Sequence, residues 1–336
     1  MPSVTPDSLI VVTGITGYIG SHVGLAALQA GYRVRGTVRS LEWAKQLADS
    51  YTKYGADISR LEFVIVNDLL NQSQIDYAVG GAHGIAHIAV PGGLIPESDN
   101  RVEEAAESNL VILRAAAREP SVQRVVFTSS SMAVIRTPSF VDRPLTHNDW
   151  NNEEAERFLT ASDEEKKEWD WYITRYCAMK VLSEKAAWRW VEEQNPQFDI
   201  VSILPDDNFG PVLPGSNRAT AGWVYNLLHN DGSIMHDISP QWFIDVRDDA
   251  RLHILAFSIA SLGGRRIWAV AEPFGWNQIL SILRKEFPHV QVPPDIPGVW
   301  GEVDRQQIDN SESTELMGGW IGLEQSLIDS ARSFGF

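Results

Sequence analysis

Three glycines near the start limit what this chain can fold into more than any other feature. They are Gly14, Gly17 and Gly20, in the run Val11-Val12-Thr13-Gly14-Ile15-Thr16-Gly17-Tyr18-Ile19-Gly20. The apolar segment Leu9–Thr13 before them reads as a buried strand. A helical stretch, Gly17–Ala30, opens among them and closes at Gly31. The spacing is G-x-x-G-x-x-G rather than the commoner G-x-G-x-x-G, but the physical demands are the same. Gly14 permits a tight turn, Gly17 lets the backbone approach a pyrophosphate, and Gly20 lets the helix pack close on the strand. The free N–H groups at the helix start, around Tyr18 and Ile19 and next to Thr16, would then face phosphates.

The rest of the first half keeps that rhythm. Strands are expected over Tyr32–Val38, Leu61–Val66, Gly84–Ala89 and Val122–Ser129, and helices over Leu41–Tyr54, Gln72–Gly80 and Asn100–Arg118. Strands alternating with helices imply crossover connections and a parallel sheet covered on both faces. After Ser131 the rhythm breaks. Arg136 to Asp170 is polar and acidic and reads as loops with a short helix. Trp171–Gln194 is a long helix and Asp199–Leu204 a strand. Pro205 to His236 is a loop-rich lid, Phe243–Ala260 a strand then a helix, and Pro273 to Phe336 a small α+β tail. The expected fold is therefore α/β: a doubly wound parallel sheet of the Rossmann kind with a smaller, discontinuous C-terminal substrate lobe. Residues 1–204 plus 237–271 would form the dinucleotide-binding domain, and 205–236 plus 272–336 the lobe over the sheet's carboxyl edge.

The end of the second strand bears on which dinucleotide binds. NAD-binding chains usually carry an acid there for the ribose hydroxyls. Tyr32-Arg33-Val34-Arg35-Gly36-Thr37-Val38-Arg39-Ser40 has none near its end; it finishes in Arg39, and Lys45 follows. A guanidinium suits a 2′-phosphate through paired N–H donors. Elsewhere a surface Arg and Lys would be ordinary solvated charges, but after this strand they favour NADPH over NADH.

Tyr176-Cys177-Ala178-Met179-Lys180 puts a phenol and an ammonium four residues apart on one helical face. A tyrosine hydroxyl ordinarily ionises near pH ~10. A nearby ammonium favours the phenolate, so Tyr176 could exchange a proton with a carbonyl or alcohol oxygen. The spacing is common on helix surfaces and gains meaning only beside the glycine turn and a hydroxyl donor. Thr128-Ser129-Ser130-Ser131 supplies that donor at a strand end, where a hydroxyl can stabilise charge developing on a substrate oxygen; the pattern does not say which serine serves. His87, on an apolar strand, reads as a core histidine. Asp206-Asp207 are too close in sequence to read as an acid/base pair.

Charge narrows the partners. Twenty-eight Lys and Arg against 44 Asp and Glu leave −16, which argues against nucleic acid or an anionic membrane. The one cysteine, Cys177, permits no internal disulfide, and Met1 to Ser8 lacks the pattern of a signal peptide, so a reducing, cytoplasmic setting is expected. The eight histidines show no ligand spacing, so no metal is expected. The glycosylation-like Asn71-Gln72-Ser73 is then accidental.

These motifs together resemble the extended short-chain dehydrogenases/reductases, in the branch of dihydroflavonol reductases, cinnamoyl-CoA reductases and microbial carbonyl (aldehyde, methylglyoxal) reductases. The likeness rests on the glycine run and on Thr37-Val38-Arg39-Ser40, Asn67-Asp68-Leu69, His87-Ile88-Ala89-Val90-Pro91 and Val126-Phe127-Thr128-Ser129-Ser130. It continues through Tyr176 to Trp188, Leu204-Pro205 with Gly210-Pro211, and Phe243 to Asp248. The resemblance implies Ser130 as the catalytic serine, Tyr176 as proton donor, and Lys180 as the group that holds the nicotinamide ribose and tunes Tyr176. It implies Arg39 and Lys45 at the 2′-phosphate, Asp68 and Leu69 at the adenine, Ala89 along the cofactor, and Pro205 and Asn208 behind the nicotinamide. Ser131-Met132 and the acidic Asp206-Asp207-Asn208-Phe209 depart from the family pattern, as does the long acidic stretch before Tyr176. These departures bear on substrate and not on hydride chemistry.

The expected activity is an NADPH-dependent reductase acting on the carbonyl of an aldehyde or ketone, with Pro91, Met132, Phe209 and Trp223 in the substrate wall. The rival within the fold is a sugar-nucleotide epimerase or dehydratase, disfavoured because Ser131-Met132 lacks an acidic pair after the serine. The rival outside catalysis is an NADPH-binding protein without chemistry, disfavoured because both Tyr176 and Lys180 are present. The long helices suit a monomer or a homodimer equally.

Overall fold

Period-two burial along the strands decides where the helices pack. In the computed structural model, which describes residues 3–92, 96–138 and 140–336, the first strand β1 (Leu9–Thr13) is buried throughout. Ile10 and Val12 enter one apolar cluster, and Val11 enters another. A strand that feeds two cores is covered on both faces.

Helices α1 (Tyr18–Gln29) and α2 (Leu41–Lys53) flank β2 (Arg33–Val38) in sequence. Then come β3 (Leu61–Ile65), α3 (Gln72–Val79), β4 (Gly84–His87), α4 (Asn100–Arg118) and β5 (Arg124–Thr128). The second half runs α5 (Asn152–Thr160), α6 (Trp171–Gln194), β6 (Asp199–Pro205), β7 (Asp207–Phe209), α7 (Ala221–Leu228), α8 (Ile234–Asp237), β8 (Trp242–Asp245), α9 (Val246–Ser258) and β9 (Arg265–Ala269). It ends with β10 (Glu272–Pro273), α10 (Trp276–Glu286), α11 (Ser311–Met317) and α12 (Leu323–Ser333).

The large sheet has seven strands in the order β3-β2-β1-β4-β5-β6-β9, every pair parallel. Side chains of α1, α2 and α9 meet Ile10, Val12, Val126 and Val201 on one face. Side chains of α3, α4 and α6 meet Val11, Ile85, Val125 and Ile200 on the other. This is the doubly wound Rossmann-type α/β fold. Strand order reverses between β1 and β4, the position at which such sheets open a crevice for ligands at their carboxyl ends.

A second sheet, β10-β8-β7, has β7 and β8 parallel and β8 and β10 antiparallel. With α7, α10 and α12 it encloses its own core, including Phe209, Phe243, Phe274 and Trp276. The strand expected at Phe243 thus pairs in this smaller sheet. The seventh strand of the large sheet is β9, which the pattern did not reveal because it opens with two arginines and buries one of them, Arg266. Among the described residues no helix is long and apolar enough to cross a membrane.

Candidate active site

The glycine turn folds as its spacing requires. Gly14 has φ +68°, and a Cβ there would sit 3.0 Å from that of Ala89. A Cβ at Gly20 would lie 2.3 Å from the Gly14 carbonyl oxygen, so only glycine lets α1 come this close to β1. Gly17 caps α1 without a side-chain cap, which leaves the first N–H groups of a 12-residue helix free for an anion. Thr13 Oγ1 accepts from the N–H groups of Ile88 (3.0 Å) and Ala89 (3.1 Å). Its own proton therefore goes to His87 Nδ1, at 2.9 Å. Burial, and next the charge of Lys180, push the His87 pKa down to about 3, so this imidazole is a neutral core group.

Tyr18 lies just inside α1 but is not open to solvent. Its hydroxyl donates to the Gly210 carbonyl at 2.8 Å. Ser330 Oγ of α12 donates to the same oxygen at 2.8 Å and accepts from Gly210 N–H at 2.8 Å. The turn is thereby fastened to the smaller lobe. Thr16 contributes its carbonyl oxygen to the N–H of Asn217, at 2.9 Å.

At the far end of β2, Arg39 and Lys45 are exposed. Their neighbours Arg35 and Arg60 are engaged by Glu62 and Asp7, whereas neither Arg39 nor Lys45 has an ion-pair partner among the described residues. Asp68 is exposed and its Oδ1 accepts from Leu70 N–H at 2.9 Å; Leu69 packs partly on the core. The free cations, the glycine cradle and the uncapped helix start fit a phosphorylated dinucleotide along the carboxyl edge of the sheet.

Tyr176 and Lys180 share one face of α6 and line one cavity of about 190 Å³. The Lys180 ammonium donates to the Ser129 carbonyl at 3.1 Å and lies 5.8 Å from the centre of the Tyr176 ring. Burial pushes the Lys180 pKa down to about 8, against the pull of Glu184. The Tyr176 phenol is raised above its usual range: burial dominates, the Ser130 hydroxyl opposes, and Cys177, Asp207 and Asp206 add to it. This departs from the expectation that the ammonium would lower it. Among apolar walls and beside two carboxyls, desolvation wins, and the phenol keeps its proton at neutral pH.

The three serines have separate surroundings. Ser129 Oγ donates to Glu184 at 2.6 Å and serves the helix behind the site. Ser130 Oγ accepts from Met132 N–H at 3.2 Å, and Ser130 lines the same cavity as the Tyr176 phenol. Ser131 lines the same cavity as Asp206. The same cavity is lined by Tyr18, Ile19, Met132, Pro205, Asn208 and Trp223.

Two residues expected in the substrate wall lie elsewhere. Phe209 is fully buried against Phe243 and Phe274, because the small sheet needs an aromatic core. Pro91 is not among the cavity-lining residues, and Val90 lines the wall in its place. Lining residues that sequence reading missed include Thr137, Tyr172, Ile173 and Gln241. They come from distant segments with no spacing signal. Asp206 and Asp207, passed over as too close together, both face the cavity.

Comparison with known proteins bears on this geometry. Residues 10–271 match the family described as NAD dependent epimerase/dehydratase. Aldehyde reductase 2 of Sporidiobolus salmonicolor is 32% identical, over 97% of this chain and 96% of that one. Ketoreductase adrE of Penicillium roqueforti is 30% identical over 96% of each. A solved structure of Gre2 from Candida albicans in complex with NADPH superposes with a TM-score of 0.80 at 26% identity, covering 97% of this chain and 98% of the other.

Proposed function

Since the chain belongs to the NAD-dependent epimerase/dehydratase family, we propose that it is an NADPH-dependent reductase of aldehyde or ketone carbonyls. One observation carries this reading: Tyr176, Ser130 and Lys180 line the same cavity as Tyr18 and Ile19 at the start of the glycine-turn helix. Similarity to an aldehyde reductase, a ketoreductase and an NADPH-bound reductase supports it.

Gly14, Thr16, Gly17, Ile19 and Gly20 would hold the pyrophosphate, with Tyr18 bracing the turn. Arg39 and Lys45 would hold the 2′-phosphate, Asp68 and Leu69 would flank the adenine, and Ala89, Pro205 and Asn208 would border the nicotinamide. When bound, NADPH supplies the hydride. Tyr176, whose burial makes the phenol hold its proton more firmly still, donates that proton to the carbonyl oxygen as negative charge develops there. Ser130, in the same cavity as that phenol, orients the oxygen and stabilises its charge. Lys180, fixed by the Ser129 carbonyl, places a positive charge behind the phenol. Met132 and Trp223 wall the substrate.

The division of labour runs between two sets of segments joined through β8 of the smaller sheet. Residues 1–204 with 237–271 hold the dinucleotide, and 205–236 with 272–336 close over the substrate, with β8 carrying hydrogen bonds from the first into the second. A single, buried Cys177 suits a reducing cytoplasmic setting, and the protein works as a monomer or a homodimer. The test is loss of NADPH absorbance with a panel of aldehydes and ketones. Turnover of several carbonyls is expected. Tight NADPH binding with no turnover of any of them would reject the reductase role and favour a binding protein.

A further inference from the structure

The reductase chemistry leaves Asp206 and Asp207 without a task, although both line the cavity that holds the Tyr176 phenol. Gln241 Nε2 donates to Asp207 Oδ2 at 2.6 Å. Thr137 Oγ1 donates to Gln241 Oε1, at 3.3 Å, and so fixes which end of that amide faces the carboxyl. Asp206 Oδ1 accepts from Asp207 N–H at 3.0 Å. Asn208 is 4% exposed and turns its Nδ2 to the Asp206 carbonyl, at 3.2 Å. The Asn208 Oδ1 has no hydrogen-bond partner.

Acceptors therefore outnumber donors at this end of the cavity. Asp237 lines it too, and among the described residues the only lining cation, Lys180, is committed to the Ser129 carbonyl. Much of the remaining wall is apolar, including Met132, Ile173, Trp223 and Ile238. Among the described residues no group of three or more side chains could hold a metal ion.

We propose that Asp206, Asp207 and Asn208 form a cation subsite of the substrate cavity, so that the favoured substrate is an aldehyde or ketone carrying a protonated amine. The proposal rests on the reductase reading and names the substrate class of that same site. A buried acceptor without a donor costs free energy, and an apolar substrate would leave the Asn208 Oδ1 uncompensated. An anionic substrate would add further acceptors where acceptors already outnumber donors. An ammonium brings positive charge and N–H donors to carboxyl and amide oxygens that have none to spare. Burial raises the proton affinity of both carboxyls, Asp206 to about 8, which expresses the same demand for positive charge in this pocket.

The experiment compares two phenyl ketones of matched shape, one with a side arm ending in a dimethylamino group and the other in isopropyl. With the NADPH-loaded wild-type enzyme, kcat/KM should favour the amine by roughly tenfold or more, the scale of one or two charge-assisted hydrogen bonds. A bound ammonium would take the place of the proton that Asp206 holds below about pH 8, a proton an amide cannot give up, so in Asp207→Asn and in Asp206→Asn that ratio should fall towards unity. Calorimetry of the two corresponding alcohols with wild-type enzyme and NADP is a second readout that needs no variant to fold and no turnover. Tighter binding of the amino alcohol supports the subsite; equal affinity overturns it. A wild-type kcat/KM ratio at or below unity, or one unchanged in both variants, also overturns it and leaves the reductase reading intact. Reduction of neither ketone, with the calorimetric preference retained, would remove the reductase reading and leave the subsite standing.

Discussion

The Arg266 guanidinium of β9 meets the Glu184 carboxylate of α6 at 2.8 Å, with both side chains less than a tenth exposed. Arg266 also donates to the carbonyls of His147 and Asp149, at 2.6 and 2.7 Å, and stacks on Trp150 at 3.7 Å. Glu184 takes the Ser129 hydroxyl and the Trp188 indole N–H as well. One buried pair thus ties the edge of the large sheet to the helix that carries Tyr176 and Lys180. Removing one partner strands the other charge away from water. Glu184→Gln should cost about 3–5 kcal/mol of stability, seen as a lower denaturant midpoint with an unchanged slope. A loss under about 1 kcal/mol would mean the pair behaves like an exposed one.

Tyr176→Phe removes the proton donor and leaves the helix packing in place. Turnover of a good ketone substrate should fall by about 10²- to 10⁴-fold, the usual worth of a positioned general acid. NADPH affinity, followed by fluorescence titration, should stay within a few-fold of wild type. Ser130→Ala should lower turnover as well, since it removes a hydroxyl from the cavity that holds that phenol, whereas Ser129→Ala, which loses only the bond to Glu184, should act mainly on stability.

Arg39→Ala tests the choice of dinucleotide. Losing a charge-assisted contact should raise KM for NADPH by roughly 10- to 100-fold with little change in kcat. KM for NADH should hardly move, because that cofactor has no 2′-phosphate. Equal effects on both cofactors would place the guanidinium elsewhere.

Asp206 makes stability depend on pH with a definite sign. Burial lifts its pKa from 3.8 to about 8, opposed by the Ser131 hydroxyl and aided by Asp304. Between those values the native state holds a proton that the unfolded chain releases, so this contribution is present below pH 3.8 and is lost as pH rises through about 8. Asp207, Tyr176 and Lys180 face the same cavity and shape the curve. Asp206→Asn mimics the protonated acid at every pH. Its stability relative to wild type should therefore climb across this window in urea melts recorded at a series of pH values; a flat difference would contradict the raised pKa.

Local chemistry was legible in the sequence, and long-range packing was not. Leu9–Thr13 and Trp171–Gln194 were placed to the residue, since apolar runs, glycine and helical spacing act within a few residues. The Tyr176–Lys180 pairing followed from one helical repeat. By contrast β9 begins Arg265-Arg266, and nothing near it in sequence announces that Glu184 neutralises Arg266 inside the protein. Phe209 looked like a pocket residue beside Asn208, but its place was decided by Phe243 and Phe274, from segments far along the chain. The three consecutive serines were indistinguishable as text. What separates them, Glu184 of α6 taking the Ser129 hydroxyl while Ser130 and Ser131 open on the cavity beside Tyr176 and Asp206, is set only in three dimensions.

The Gly210 carbonyl receives hydroxyls from Tyr18, at the mouth of the first helix, and from Ser330, in the last. The two ends of the polypeptide thus bear on a single oxygen atom. Fraying the tail should slacken the grip on the dinucleotide long before it harms the sheet. A change at Ser330 would then surface in assays as poor coenzyme retention, and a chain trimmed from Leu323 onward would be mistaken for one damaged at its N-terminal turn.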